Sequence, residues 1–215
     1  MPINPNAAQP ENWYSKVFAR IYDPFMEKME ERVLLKRRRS LLESLQGDIL
    51  EVGAGTGTNF PLYGQDARVI AIEPAGQMLQ RAKEKLQAGR FDATFELIEA
   101  GIGDDAVAAA IPDEGLDAVV FTLVLCTIPD PESALRQCIQ WLKPGGKVVM
   151  LEHIASSDRW GYLLQKTIDP VWKHLAEGCH LDRQTDQLIQ SMGLTKVSEE
   201  HFTKALPFYK AVWQK

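Results

Sequence analysis

The sequence predicts an α/β protein: a doubly wound, mostly parallel sheet of seven strands with a reversed strand at one edge. Three observations carry that reading. Five short apolar runs between positions 49 and 151 alternate with amphipathic helical stretches, the pattern of a parallel sheet covered on both faces. The first run breaks directly into a glycine-rich turn. The chain then closes on two strand-like runs whose link is too short for anything but an antiparallel pair. A length of 215 residues suits one such domain.

The elements follow in order. The first dozen residues carry three prolines and read as loosely ordered. Val17, Phe18, Ile21 and Tyr22 then share a helical face, and Asp23-Pro24 reads as the cap and first position of a second helix. That helix carries Phe25, Met29 and Val33 toward Leu45 and stops at Gly47. Residues 1–46 are therefore expected to form a helical cover segment, and 47–215 the main domain. Strands are expected at Ile49–Val52, Arg68–Ile72, Ala93–Ile98, Leu116–Phe121 and Lys147–Leu151. Helices are expected at Ala75–Gln87 and Glu132–Leu142, the latter closed by Lys143-Pro-Gly-Gly146, then at Trp160–Ala176 and Asp182–Met192. Thr195–Phe202 and Phe208–Trp213 form the final pair.

Composition excludes several classes. The net charge of −5 gives no general reason to seek nucleic acid. Cys126, Cys138 and Cys179 are an odd count with no C-x-x-C spacing, so neither a disulfide framework nor a zinc site is expected, and a reducing cytoplasm fits. The apolar run Val119–Ile128 is too short for a membrane span, which needs about 20 residues. The opening residues lack the basic and apolar regions of a signal peptide. Lys36-Arg-Arg-Arg39 leaves peripheral lipid contact open, but four consecutive positions span all sides of a helix, and Glu27, Glu30, Glu31 and Glu43 stand near. A solvated helix is the expectation.

The most specific signal is Glu51-Val-Gly53-Ala-Gly55-Thr-Gly57 after the first strand. Glycines there let the backbone turn tightly and approach a ligand at the carboxyl edge of the sheet. Glu73 ends the second strand twenty positions after Gly53, the spacing at which a carboxylate meets ribose hydroxyls. A dinucleotide fingerprint would need glycine where Thr58 stands, which disfavours a nicotinamide enzyme, and no phosphate-loop lysine follows.

The E-x-G-x-G-x-G form resembles the first motif of the class I S-adenosylmethionine-dependent methyltransferases, a Rossmann-like family. Leu116-Asp-Ala-Val-Val-Phe-Thr-Leu and Leu142-Lys-Pro-Gly-Gly-Lys-Val-Val resemble its fourth and fifth strands, and the final pair resembles its reversed last strand. The likeness runs over roughly residues 45–215 and specifies fold and cofactor rather than acceptor. It implies S-adenosyl-L-methionine as cofactor and S-adenosyl-L-homocysteine as product. Gly53, Gly55 and Gly57 would approach the methionine part, with Glu51 near its ammonium and Asn59 among the contacts. Glu73 would take the ribose hydroxyls, Pro74 or Met78 would flank the adenine, and Ile102 (or Asp104) would add an adenine contact. Thr122 and Leu123 would line the methyl donor.

Thr122-Leu-Val-Leu-Cys126-Thr, Glu152-His153, Asp169-Pro-x-Trp172 and Gly178-Cys179-x-Leu181 together resemble the methyltransferase-like alkyl-thiol S-methyltransferases and their bacterial relatives. Bacterial phospholipid N-methyltransferases and quinone-pathway C-methyltransferases are looser cousins. The implied partner is a small-molecule methyl acceptor, a thiol first, with a headgroup amine or a quinone-like aromatic as alternatives. The hydrophobic N-terminal anchor of the animal thiol enzymes has no counterpart here, so a membrane location does not carry over. A thiol is largely protonated at neutral pH, so either the site lowers its pKa or a base assists, with His153 the first candidate and His180 the second. Asp182 could equally cap a helix within a plain turn. Trp13, Tyr14, Phe18 and Tyr22 either cover the acceptor or simply pack on the sheet. A non-catalytic cofactor-binding interaction protein is the alternative of a different class, but it would need neither the glycine loop nor Glu73. The oligomeric state stays open.

Overall fold

The computed structural model describes residues 33–176, 178–204 and 206–215. The first expected helix, its aromatic residues and most of the second lie outside them. The chain runs α1 (Leu35–Leu42), β1 (Gly47–Val52), a 3-10 turn (Phe60–Leu62), β2 (Ala67–Ile72), α2 (Gly76–Ala88), β3 (Thr94–Ile98) and α3 (Asp105–Ala110). It continues through β4 (Leu116–Thr122), α4 (Pro131–Trp141), β5 (Leu142–His153), α5 (Arg159–Leu175), α6 (Thr185–Gln190), β6 (Thr195–Thr203) and β7 (Pro207–Gln214).

All seven strands form one sheet in the order β3-β2-β1-β4-β5-β7-β6. The first five run parallel, and β7 inserts antiparallel between β5 and β6. The doubly wound reading holds, and the last strand is reversed as expected, but it lies one place in from the edge, which β6 forms in the direction of the first five strands.

Near-continuous apolar strands follow from burial on both faces. Leu50, Val52, Ile72, Val119, Phe121, Val148 and Met150 pack under Val107 of α3, Leu135 and Cys138 of α4 and Ile189 of α6. Their neighbours Ile49, Val69, Ala71, Val120, Val149 and Leu151 pack on the opposite layer, under Leu41 and Leu42 of α1, Phe60 and Ala82. Period-two alternation sends successive residues to opposite faces, so each strand serves two cores.

Several boundaries, and two short elements, differ from expectation. β5 begins at Leu142, because Leu116 pairs with Leu142 before a register shift carries the ladder to Ala118 and Lys147. Pro144 and Gly145 sit within that irregularity, Gly145 at φ +82°. The last helix starts at Thr185 after Gln184, so Asp182 does not cap it. Helix α3 and the 3-10 turn at Phe60 were not expected; each is under two turns long, too short for periodicity to register.

Helix α5 is capped by Asp158, whose carboxylate accepts the Gly161 amide at 2.8 Å. It leaves Trp160, Leu163, Leu164, Ile168 and Val171 exposed. No described helix is long and apolar enough to cross a membrane.

Candidate active site

β1 and β2 deliver Glu51 and Glu73 to the carboxyl edge of the sheet, on either side of the glycine turn. Gly53 (φ +69°) cannot carry a side chain, since a Cβ would stand 2.2 Å from Val124 Cγ2. Gly55 differs: at φ +57° its Cβ position meets nothing within 4 Å. One glycine closes the turn against the β4 loop, and the other keeps its outer face open to a ligand.

Glu73 is tied into this turn. Gly55 and Ala75 amides donate to its two oxygens, each at 2.9 Å, which fixes the carboxylate against the turn. Glu51 lies deeper. Asn59 Nδ2 donates to Glu51 Oε1 at 2.8 Å and to Thr122 Oγ1 at 2.9 Å, and Tyr63 donates to Glu51 Oε2 at 2.9 Å. Burial pushes the Glu51 carboxyl up to about 7 against those hydrogen bonds and the Arg38 charge. A ligand ammonium beside it would favour the ionised form.

Arg38 completes this network, donating to Asn59 Oδ1 at 2.8 Å. The basic run is therefore not uniformly solvated. Arg38 is 5% exposed, while Arg37 pairs with Glu200 at 2.8 Å and lies 3.7 Å over the Phe202 ring. Arg38 and Tyr63 are the members that the sequence reading passed over. Asn59 links Glu51 to Thr122.

Leu123 is the only described non-glycine residue with positive φ, at 57°. Its amide donates to Leu151 O at 2.9 Å, so β5 holds the strained turn where the methyl donor is expected. Pro74 is exposed and Met78 half-buried at the start of α2, where either can meet an adenine. Ile102 is buried in the core, and Asp104 accepts the Gly101 amide at 2.6 Å.

The acceptor side is assembled from distant segments. Glu152 Oε1 accepts the Val124 and Leu125 amides at 3.0 and 3.2 Å, pinning the loop after β4. Arg183 donates to the carbonyls of Leu125 and Ile128 from the other side. Asp169 of α5 accepts the Leu181 amide at 2.7 Å and faces His180 Nδ1 at 3.2 Å. In the tautomer that donates Nδ1–H to Asp169, His180 Nε2 is the acceptor nitrogen. His153 is buried, and its Nε2 already faces Cys179 Sγ at 3.1 Å.

The three cysteines are not isolated from one another, a correction to the reading from spacing. Cys126 and Cys179 meet beside His153, and only Cys138 stays apart in the core. The Cys126 thiol beside it lowers Cys179 against burial, with His153 adding to the effect, while Cys126 itself is pushed up. Burial would depress His153, but the Cys179 sulfur holds it above its usual value.

The chain as a whole is similar to known proteins. The methyltransferase domain family (Methyltransf_11) matches residues 50–150. Human thiol S-methyltransferase TMT1A is 29% identical over 205 residues, covering 91% of this chain and 81% of that protein. Phosphatidylethanolamine N-methyltransferase of Cereibacter sphaeroides is 34% identical over 137 residues, 63% of this chain and 64% of that one. Among solved structures, the N-methyltransferase NodS of Bradyrhizobium japonicum, in complex with S-adenosyl-L-homocysteine, shares the fold. Its TM-score is 0.62 at 16% identity, over 87% of this chain and 90% of that one. These likenesses mark the chain as an S-adenosylmethionine-dependent methyltransferase with the fold of the solved methyltransferases it resembles.

Proposed function

We propose that this methyltransferase methylates the sulfur of a small thiol. The observation that carries the proposal is the Asp169–His180 pair, which presents an imidazole nitrogen as proton acceptor beside the β4 loop. The likeness to proteins named thiol S-methyltransferases supports the same acceptor.

S-Adenosylmethionine supplies an electrophilic methyl on a sulfonium. The residues of this chain bind, orient and move one proton. Glu51 would face the cofactor ammonium and Glu73 its ribose hydroxyls, with Gly55 leaving room for close approach of the backbone. Asn59 keeps Glu51 aimed, and Thr122 and Leu123 would line the methyl group. His180 Nε2 would take the acceptor S–H proton as the acceptor sulfur gains the methyl carbon, the released cofactor product and the methylated acceptor both being neutral thioethers. In-line positioning supplies most of the remaining acceleration. His153 is the second candidate base, placed behind His180 because Cys179 already occupies its Nε2.

A headgroup amine is the second reading. It is favoured by the exposed apolar stripe of α5 with Arg159 and Lys166, a composition suited to a lipid surface, and by the phosphatidylethanolamine enzyme among the relatives. The test is one mass-spectrometric screen of alkyl thiols, aromatic thiols, amines, phenols and phosphatidylethanolamine vesicles. Thiol methylation is expected. Methylation of the amine lipid with every thiol inert would replace the first reading by the second.

A further inference from the structure

We infer that Cys126, His153 and Cys179 form a three-ligand site for a zinc-class divalent ion at the acceptor edge. The inference rests on their geometry and holds whichever acceptor is methylated.

The donor atoms, two thiol sulfurs and an imidazole nitrogen, all lie within 4.8 Å of one another. The His153 Nε2 to Cys179 Sγ separation is 3.1 Å. Tetrahedral zinc, with bonds of about 2.3 Å to sulfur and 2.0 Å to nitrogen, sets neighbouring ligands about 3.5–3.8 Å apart. Shifts of an ångström or less therefore complete three corners of the tetrahedron. Two cysteines and one histidine form a donor set that suits zinc, and three protein ligands leave a fourth position for an exogenous donor.

The cluster is held by structure rather than by chance proximity. Cys126 follows β4, on a loop fixed by Glu152 and Arg183. His153 ends β5 within the sheet ladder, paired with Phe208. Cys179 follows Gly178, which turns at φ +86°, and its amide donates to Ala176 O at 2.8 Å. The next residue locks the two loops together, because the His180 amide donates to Cys126 O at 3.0 Å. Preorganisation of this kind removes ordering cost from ion binding.

His153 Nδ1 and Glu152 Oε2, buried with no hydrogen-bond partner among the described residues, are not donors of this site, since Nε2 is the nitrogen that faces Cys179. Ion binding would displace the Cys126 and Cys179 protons to solvent, and two thiolates would then neutralise a dication. The neighbouring Asp169–His180–Asp182 group is less suited, since Asp169 is already engaged by Leu181 and His180.

The test uses reduced, chelator-stripped full-length protein titrated with cobalt(II). The expected result is one ion per chain, with intense ligand-field absorption of a tetrahedral centre and a thiolate-to-cobalt charge-transfer band. Zinc should displace it. Cys126→Ser, Cys179→Ser and His153→Ala should each weaken binding about tenfold or more, and the cysteine changes should weaken the charge-transfer band. His180→Ala should leave the spectrum intact. Calorimetric binding of S-adenosylhomocysteine by each variant confirms that it is folded. Absence of a saturable thiolate–cobalt spectrum in wild-type protein that binds S-adenosylhomocysteine would overturn the inference. So would an undiminished spectrum in the double cysteine variant, or loss only in His180→Ala.

Discussion

The cofactor side and the acceptor side share one sheet edge but are built by opposite means. On the cofactor side, a single strand and its turn carry Glu51, Gly53, Gly55, Gly57 and Asn59 within nine residues, and Glu73 follows one crossover later. On the acceptor side, Cys126, His153, Asp169, Cys179 and His180 come from the loop after β4, the end of β5, helix α5 and the turn beyond it. Local construction leaves a motif in the sequence. Assembly by tertiary packing leaves scattered residues whose meeting only the fold reveals.

The difference is tested most severely at the two glycines. Gly55→Val should abolish S-adenosylhomocysteine binding, because its side chain would project into the open face of the turn and φ +57° already strains it. Gly53→Val should instead lower the melting temperature, because it collides with Val124 inside the protein. Thermal melts with and without ligand separate the two. Equal ligand-induced stabilisation in Gly55→Val and wild type would break the distinction.

On the acceptor side, His180→Ala should lower kcat about 100-fold or more toward an alkyl thiol. An aromatic thiol that is already ionised should be affected less, and S-adenosylhomocysteine affinity should not change. Asp169→Asn should follow the same pattern with a smaller loss, through the His180 tautomer. Equal losses across thiols of different pKa would remove His180 as the base while leaving the cofactor side untouched.

A smaller effect concerns pH. Glu51 and Glu152 have carboxyls pushed up to about 7 by burial. A carboxyl raised above its unfolded value contributes stability present below about pH 4.5 and lost as pH rises through about 7. The ligand-free protein should therefore lose stability across that window, and Glu51→Gln should flatten the loss. Binding of S-adenosylhomocysteine below pH 7 should release protons, as its ammonium favours ionised Glu51. Calorimetry in buffers of different ionisation enthalpy measures this, and zero proton release at pH 6 would contradict the placement of Glu51.

The alternation of apolar runs and the antiparallel finish made the sheet legible, since both arise from local periodicity and link length. Glu51 and Glu73 were legible for the same reason, being tied to the turn by fixed spacing. Arg38 was not, because a basic run at positions 36–39 carries no sign of which member turns inward to Asn59. Nor were the partnerships of Cys126 with Cys179 and of Asp169 with His180. The first spans fifty-three positions, and neither Asp182 nor His180 announces that α5 supplies the carboxylate.

The central claim is that cofactor binding resides in the local half and acceptor chemistry in the assembled half. Calorimetric titration of S-adenosylhomocysteine into wild type, Glu73→Ala and Asp169→Asn tests it most directly. Loss of the charge-assisted hydrogen bonds of Glu73 should cost about 1.5–3 kcal/mol, roughly 10- to 150-fold in affinity, with Asp169→Asn binding as wild type does. Unchanged affinity in Glu73→Ala, or an equal loss in Asp169→Asn, would contradict the account.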